Sequence, residues 1–286
     1  MRSHRRFCSL NARPEDLSCQ RERDFQGEPN RIQHMRRLFA CCCPNAWSLI
    51  ACGRTVGCHG FADVKHESNA FTLQRKILPV ELKVVPVEVA LLQIMNQPPI
   101  CNAIIQLIEW FDEPDRYILI LERPDPCKSL DSFLQDYGGY VTEDMARDIM
   151  WQSVAAAFQC SKRGVMHRDI KLENLLINPH TLAVKLIDFG CGDLIKKSGY
   201  DIFEGTTEYF PPEFFLKGRY HAGPATVWSL CVLMFRMVCG YLPFAEDDIT
   251  SGALHFRDGL SNECCDLIRW CLQRNPTIRL NLQKLQ

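Results

Sequence analysis

Apolar positions recur along this chain with two different periods, and the change from one to the other divides it. Val87-Glu88-Val89-Ala90-Leu91-Leu92-Gln93-Ile94-Met95 places apolar residues at helical intervals, and Pro86 before it suits a helix first turn. Ile104–Trp110 and Tyr117–Glu122 are β-branched and aromatic runs around Asp112-Glu113-Pro114-Asp115, which predicts two strands and a turn. Glu122–Pro126 follows as a polar, proline-punctuated hinge. Thr142 is placed to cap a helix running through Phe158, with Glu143 and Asp144 favourable at the positive end of its dipole. Short strands Leu175–Ile177 and Ala183–Ile187 flank Asn178-Pro179-His180. After residue 215 the pattern is mainly helical: Ala225–Cys239 is nearly all apolar and long enough for a buried central helix, and Ser261–Cys271 forms another. Strands thus dominate the first part and helices the second, with no internal repeat.

Composition changes this picture at the N-terminal end. Residues 1–37 hold nine Arg, two His and five acids, with few large apolar residues and no periodicity, which predicts a disordered basic tail. Nuclear targeting or binding to an acidic partner is the alternative reading of the same charge. Residues 38–100 are mixed, with Gly53, Gly57 and Gly60 preceding Ala62-Asp63-Val64-Lys65. Leu38–Cys52 is apolar but carries Pro44 and Asn45 and is shorter than the ~20 residues a bilayer requires, so no membrane span is expected. At 286 residues, 47% hydrophobic and 23% charged, the chain can bury a sizeable core as one large domain or two small lobes. A net charge of −1 gives no global field to recruit nucleic acid. The sixteen cysteines do not form a disulfide pattern, since no secretory signal is read ahead of them. Cys41-Cys42-Cys43 and Cys264-Cys265 lack histidines at metal-ligand spacing and are read as unstructured reduced thiols. The reducing cytoplasm is the expected location, with the nucleus as the alternative that a basic tail allows.

The candidate chemistry lies in His167-Arg168-Asp169-Ile170-Lys171-Leu172-Glu173-Asn174, followed fourteen residues after Asn174 by Asp188-Phe189-Gly190. Two acids, an amide and a lysine at this spacing suit phosphoryl transfer. One Asp takes or orients the proton of an incoming hydroxyl, and an Asn with a second Asp holds Mg²⁺ against nucleotide phosphates. The bland alternative, a polar loop with chance acids, does not account for two such motifs at this separation.

From about Pro86 to Leu280 the chain resembles the eukaryotic protein kinases, and specifically the Pim family of serine/threonine kinases. The resemblance implies an α+β, bilobal protein-kinase fold, with a small β-rich N-terminal lobe that is incomplete and a larger helical C-terminal lobe. The expected divisions are a tail at 1–37, a degenerate N-lobe at 38–121, a hinge at 122–126 and a C-lobe at 127–286. Asp169 and Lys171 would be catalytic, and a Lys at the latter position resembles serine/threonine rather than tyrosine kinases. Asn174 and Asp188 would hold Mg²⁺, while His167 and Phe189 would pack internally. ATP would be bound by Lys65, Glu88, Leu121, Glu122, Pro124 and Leu176. Pro124 has no N–H where a second hinge hydrogen bond is normally donated, a peculiarity Pim kinases share. Thr226 stands where most kinases place an Asp, as in Pim kinases. Glu213 would pair with Arg279 in a buried salt bridge. Gly205-Thr206-Thr207-Glu208-Tyr209 resembles the segment that docks a substrate, and Ser198, Tyr200, Thr206 and Thr207 are read as hydroxyls that are not switches. Protein substrates with Arg or Lys upstream of the acceptor would be read by Glu173, Asp125 and Asp131, with Thr206 beside them. Ser129 stands where the family has a second acid, and solvated surface carboxylates are the competing reading of Asp125 and Asp131. The protein is expected to act as a monomer.

The resemblance fails ahead of Pro86. Gly53, Gly57 and Gly60 do not fit G-x-G-x-x-G, and Asp63 occupies a position that should press an apolar face on adenine. Lys65 lies 23 residues before Glu88, near the separation Pim kinases show, with Lys76 and Lys83 as alternatives. Two functions therefore compete: an active serine/threonine kinase, supported by Asp169, Lys171, Asn174 and Asp188, and a pseudokinase or scaffold with a defective glycine-rich loop. Small-molecule phosphotransfer is a third, weakened by the peptide-docking character of Pro212-Glu213.

Overall fold

The apolar runs Leu107–Glu113 and Arg116–Leu121 pair as an antiparallel ladder. In the computed structural model, strand β1 (Leu49–Gly53) pairs with β5 (Arg116–Leu121), which pairs in turn with β4 (Leu107–Glu113), giving the order β1-β5-β4. The described residues are 49–53, 71–72, 84–113, 116–245, 248–250 and 252–285, all within one unit, Ser48–Gln286. The tail at 1–37, Lys65, Lys76, Lys83, Gly57, Gly60 and Cys41–Cys43 lie outside them. Strands β2 (Phe71–Thr72) and β3 (Val84–Val85) pair antiparallel, and helix α1 (Val87–Met95) follows. Pro86 is the N-cap of α1 rather than part of its first turn.

After β5 come β6 (Lys128–Ser129), α2 (Leu130–Asp136), α3 (Glu143–Lys162), β7 (Val165–Met166), β8 (Leu175–Ile177), β9 (Val184–Leu186) and β10 (Asp193–Leu194). Then α4 (Pro212–Lys217), α5 (Ala222–Cys239) and α6 (Asn262–Cys271) complete the helical part. Strands β6, β8 and β9 form one small sheet, and β7 with β10 another. These two sheets hold the loop between β7 and β8, and the one after β9, against the helices.

Helix α5 is long and apolar enough to cross a membrane by composition, but 72% of it is buried inside the protein, so it is a core helix. Trp228, Leu230, Val232, Leu233 and Phe235 on it are among the fully buried residues. Gly240 ends it at φ 87°, a left-handed cap that favours glycine. Cys264 and Cys265 correct the sequence reading: both are buried on α6, where Cys264, Ile268 and Cys271 share the core face at i, i+4 and i+7. The cysteines from Cys101 to Cys271 are all free thiols.

Candidate active site

Two loops meet at Asp169. The first leaves β7 and turns through Arg168, whose φ of 66° is unusual for a residue with a side chain; the second, after β9, turns through Asp188 at φ 63°. Backbone strain of this kind persists only where the surroundings fix it, and here they do. His167 is 2% exposed, sits edge-on to Phe189 with ring centroids 4.7 Å apart, and places Nε2 3.0 Å from Ile187 O. Its Nδ1 accepts from Asp169 N at 3.3 Å, which leaves the proton on Nε2. Burial lowers the His167 pKa, so the ring stays neutral. His167 and Phe189 therefore join the two loops by internal packing, as the sequence implied.

The Asp169 carboxylate is engaged on both oxygens. Thr206 Oγ1 donates to Oδ1 at 2.7 Å, Asn174 Nδ2 donates to Oδ2 at 2.8 Å, and Lys171 Nζ lies 2.9 Å from Oδ2. Lys171 Nζ also donates to Thr206 Oγ1 at 2.6 Å, and Asn174 Nδ2 to Asp169 O at 2.8 Å. Burial alone would raise the Asp169 pKa, but the bonds from Thr206 and Lys171 outweigh it and hold the carboxyl below its usual range. An ionised, oriented acceptor results. Asn174, 3% exposed, spends its amide nitrogen on Asp169 and so keeps Oδ1, a hard oxygen donor, for other partners. With the Asp188 carboxylate, this donor set fits Mg²⁺.

Glu88 stands in the first turn of α1 and faces the second loop. A methyl group placed on Gly190 would meet Asp188 Oδ1 at 3.1 Å and Glu88 Oε2 at 3.8 Å, so both carboxylates approach that glycine. One placed on Gly192 would lie 2.5 Å from Leu91 Cδ1, so the absence of a side chain there lets α1 pack down. Leu121 and Leu176 are buried at the ends of β5 and within β8, and Pro124 is half-buried between them in sequence. The Glu122 carboxylate, not its carbonyl, is engaged by Lys185 Nζ at 2.8 Å and Gln106 N at 2.9 Å. Glu173 and Asp125 are exposed, and Asp131 is half-buried in the first turn of α2. Ser129 caps α2, accepting from Ser132 N at 3.1 Å and bonding Ser132 Oγ at 2.9 Å. Thr226 is half-buried and lines a small crevice with Met166, His167 and Ala222.

Sequence reasoning missed what orders the loop after β9. Arg168, its guanidinium nearly buried, donates to Cys191 O and Gly192 O, bonds Glu204 Oε2 at 2.9 Å and lies 3.9 Å from Asp193 Oδ2. Tyr200 and Tyr220 exchange main-chain bonds at 2.9 and 3.0 Å and stack at 5.2 Å, closing the loop onto the segment before α5. The signal was available in part, since Arg168 adjoins Asp169, but a partner 36 residues away leaves no local pattern. Glu204→Ala removes the nearer carboxylate. Because Glu204 is about two-fifths exposed, the expected cost is about 1 kcal/mol, which opens the 188–213 loop roughly fivefold more often. Limited proteolysis measures it; unchanged cleavage there would contradict this role for the pair.

Residues 68–286 match the protein kinase domain family. The chain is 41% identical over 228 residues to serine/threonine-protein kinase pim-2 of Danio rerio, covering 78% of this chain and 73% of that protein. It is 37% identical over 206 residues to serine/threonine-protein kinase prk-2 of Caenorhabditis elegans, covering 70% of this chain and 46% of that protein. The testis-specific serine/threonine-protein kinase 5 of Mus musculus is 37% identical over 196 residues, 64% of this chain and 52% of that protein. The chain thus spans about half the length of the latter two. The fold and the paired loops define a member of the protein kinase family. Within it the chain belongs with the Pim-like serine/threonine kinases.

Proposed function

We propose that this protein transfers the γ-phosphate of ATP to serine or threonine hydroxyls of protein substrates carrying Arg or Lys upstream of the acceptor. The observation that carries this reading is the fully engaged Asp169 carboxylate, oriented by Thr206, Lys171 and Asn174. Mg²⁺-ATP, which protein kinases use in general, supplies the phosphoryl group and the charge neutralisation it needs. Asn174 and Asp188 would hold the ion. Asp169 accepts the proton of the incoming hydroxyl, and Lys171 adds positive charge where the transferring group must pass. The relatives' names support serine and threonine as acceptors.

Preference for basic substrates rests on the exposed Glu173 beside Asn174, together with Asp125 and Asp131. Ser129 gives no charge, and its hydroxyl is committed to capping α2. The loop after β9 needs no added phosphate to order it, because Glu204 and Asp193 already neutralise Arg168. The test is transfer by the full chain to an Arg-rich serine peptide in Mg²⁺-ATP, beside Asp188→Ala. Transfer is expected from the wild type and not from the variant; equal signals would support the scaffold reading instead. Replacing the peptide arginines by alanine should lower kcat/KM, and an unchanged value removes the substrate preference alone.

A further inference from the structure

Helix α1 has no basic residue in its own last turn. Its terminal carbonyls are capped by a cation from the other part of the fold. Arg163, the residue that caps the C-terminal end of α3, donates from Nη1 to Ile94 O at 2.8 Å and to Met95 O at 2.7 Å, and from Nη2 to Pro99 O at 2.5 Å. Among the described residues no carboxylate pairs with Arg163, whose guanidinium donates to these three carbonyls. A helix C-terminus concentrates negative partial charge on such groups, and a guanidinium answers it with several fixed donors at once. Asn96 completes the grip from the sheet side, donating from Nδ2 to Leu107 O at 2.6 Å while its Oδ1 accepts from Leu107 N at 3.3 Å. Further along the same connector, Lys185 Nζ donates to Asn102 O at 2.9 Å, Ile105 N donates to Leu186 O at 3.0 Å, and Leu186 N donates to Ala103 O at 2.8 Å.

Arg163 therefore ties the end of α1 to a point two residues before β7, the strand that leads into Asp169. Six residues toward the other end of the same helix stands Glu88, about 9 Å away along the axis at 1.5 Å per residue. We propose that Arg163 is a positioning residue: it fixes the tilt of α1, and through α1 the place of Glu88 beside Asp188 and Gly190. This rests on the kinase reading for its consequence in catalysis, but the mechanical link stands apart from it. A lysine at 163 would keep the charge and lose the fork, reaching fewer of the three carbonyls.

The full chain, Arg163→Met and Arg163→Lys are compared by amide hydrogen exchange and by steady-state kinetics. Exchange in 90–96 should rise about tenfold in Arg163→Met, equivalent to about 1.4 kcal/mol, with α5 and α6 unchanged. Arg163→Lys should fall between that variant and the wild type. The KM for ATP should rise by more than kcat falls, because Glu88 belongs to the nucleotide side of the site. If Arg163→Met does not fold, the same graded, α1-confined change in Arg163→Lys carries the decision. Unchanged exchange in α1, or a rise spread evenly over all helices, overturns the proposal. If the wild type transfers no phosphate, the kinase reading fails, and a local change in α1 exchange still supports the link.

Discussion

Asp169→Asn is expected to lower phosphate transfer by about 10²–10⁴-fold, the usual worth of a positioned general base, while the fold survives. Survival follows from the bonding pattern. Asn174 and Lys171 both address Oδ2, so an amide oxygen placed there keeps both donors. The amide nitrogen then falls on the Oδ1 side, where Thr206 Oγ1 can accept instead of donate. What is lost is the capacity to take a proton. The loss should appear in kcat, with thermal unfolding close to that of the wild type. A variant retaining more than a tenth of the wild-type rate would remove Asp169 from the role. The pH dependence gives a second check. Because the Asp169 pKa is lowered, the group stays ionised down through the ordinary carboxylate value of about 3.9, and so sets no limb of the rate profile between pH 5 and 8. Its contribution to stability is correspondingly present above that unfolded-state value and lost as pH falls through the lower, folded one. Lys171→Met leaves burial opposed by fewer donors, so the acid limb of kcat/KM should move toward neutral pH in that variant.

The parts of this molecule written in compact local patterns were legible in its sequence. Asp169, Lys171, Asn174 and Asp188 sit within two short motifs, and each motif is one loop whose residues must be close because the chain is short. The partners that Asp169 and Arg168 take from a separate loop were not. Thr206 was read as part of a substrate platform, yet it bonds the Asp169 carboxylate from 37 residues away. Helix boundaries erred where a rule has two outcomes. The apolar run was read from Ala225, but proline in a first turn forfeits no hydrogen bond, so α5 takes in Pro224 and begins at Ala222. The strand expected from Ile104 begins at Leu107, because 104–106 are held instead by Leu186 and the Glu122 carboxylate. Periodicity reports burial, and these buried residues face a neighbour other than the sheet.

Arg279→Leu should cost about 3–5 kcal/mol of folding stability, a large share of the 5–15 kcal/mol typical of a domain. The pair with Glu213 was expected from the sequence; its setting explains the size. Both side chains are essentially removed from water, at 0% and 3% exposure. The guanidinium meets the carboxylate with both arms, Nη1 to Oε1 at 3.0 Å and Nη2 to Oε2 at 2.7 Å. It also donates to Gln273 O at 2.9 Å and Pro224 O at 2.8 Å, and lies 5.0 Å over the Trp228 ring. One side chain thus joins α4, the start of α5 and the segment after α6. Leucine leaves the Glu213 charge buried without its partner, and leaves those carbonyls unmet. Glu213→Leu combined with Arg279→Leu removes the stranded charge, so the double variant should be less destabilised than the sum of the singles. Arg279→Lys keeps a charge but cannot make the two-armed contact, and should fall between. Urea denaturation of the full chain measures all four, and an Arg279→Leu cost below 1 kcal/mol would contradict the assignment. Because α4 directly follows the 205–209 segment that holds Thr206 against Asp169, the same variant should also lower transfer at temperatures where the chain remains folded.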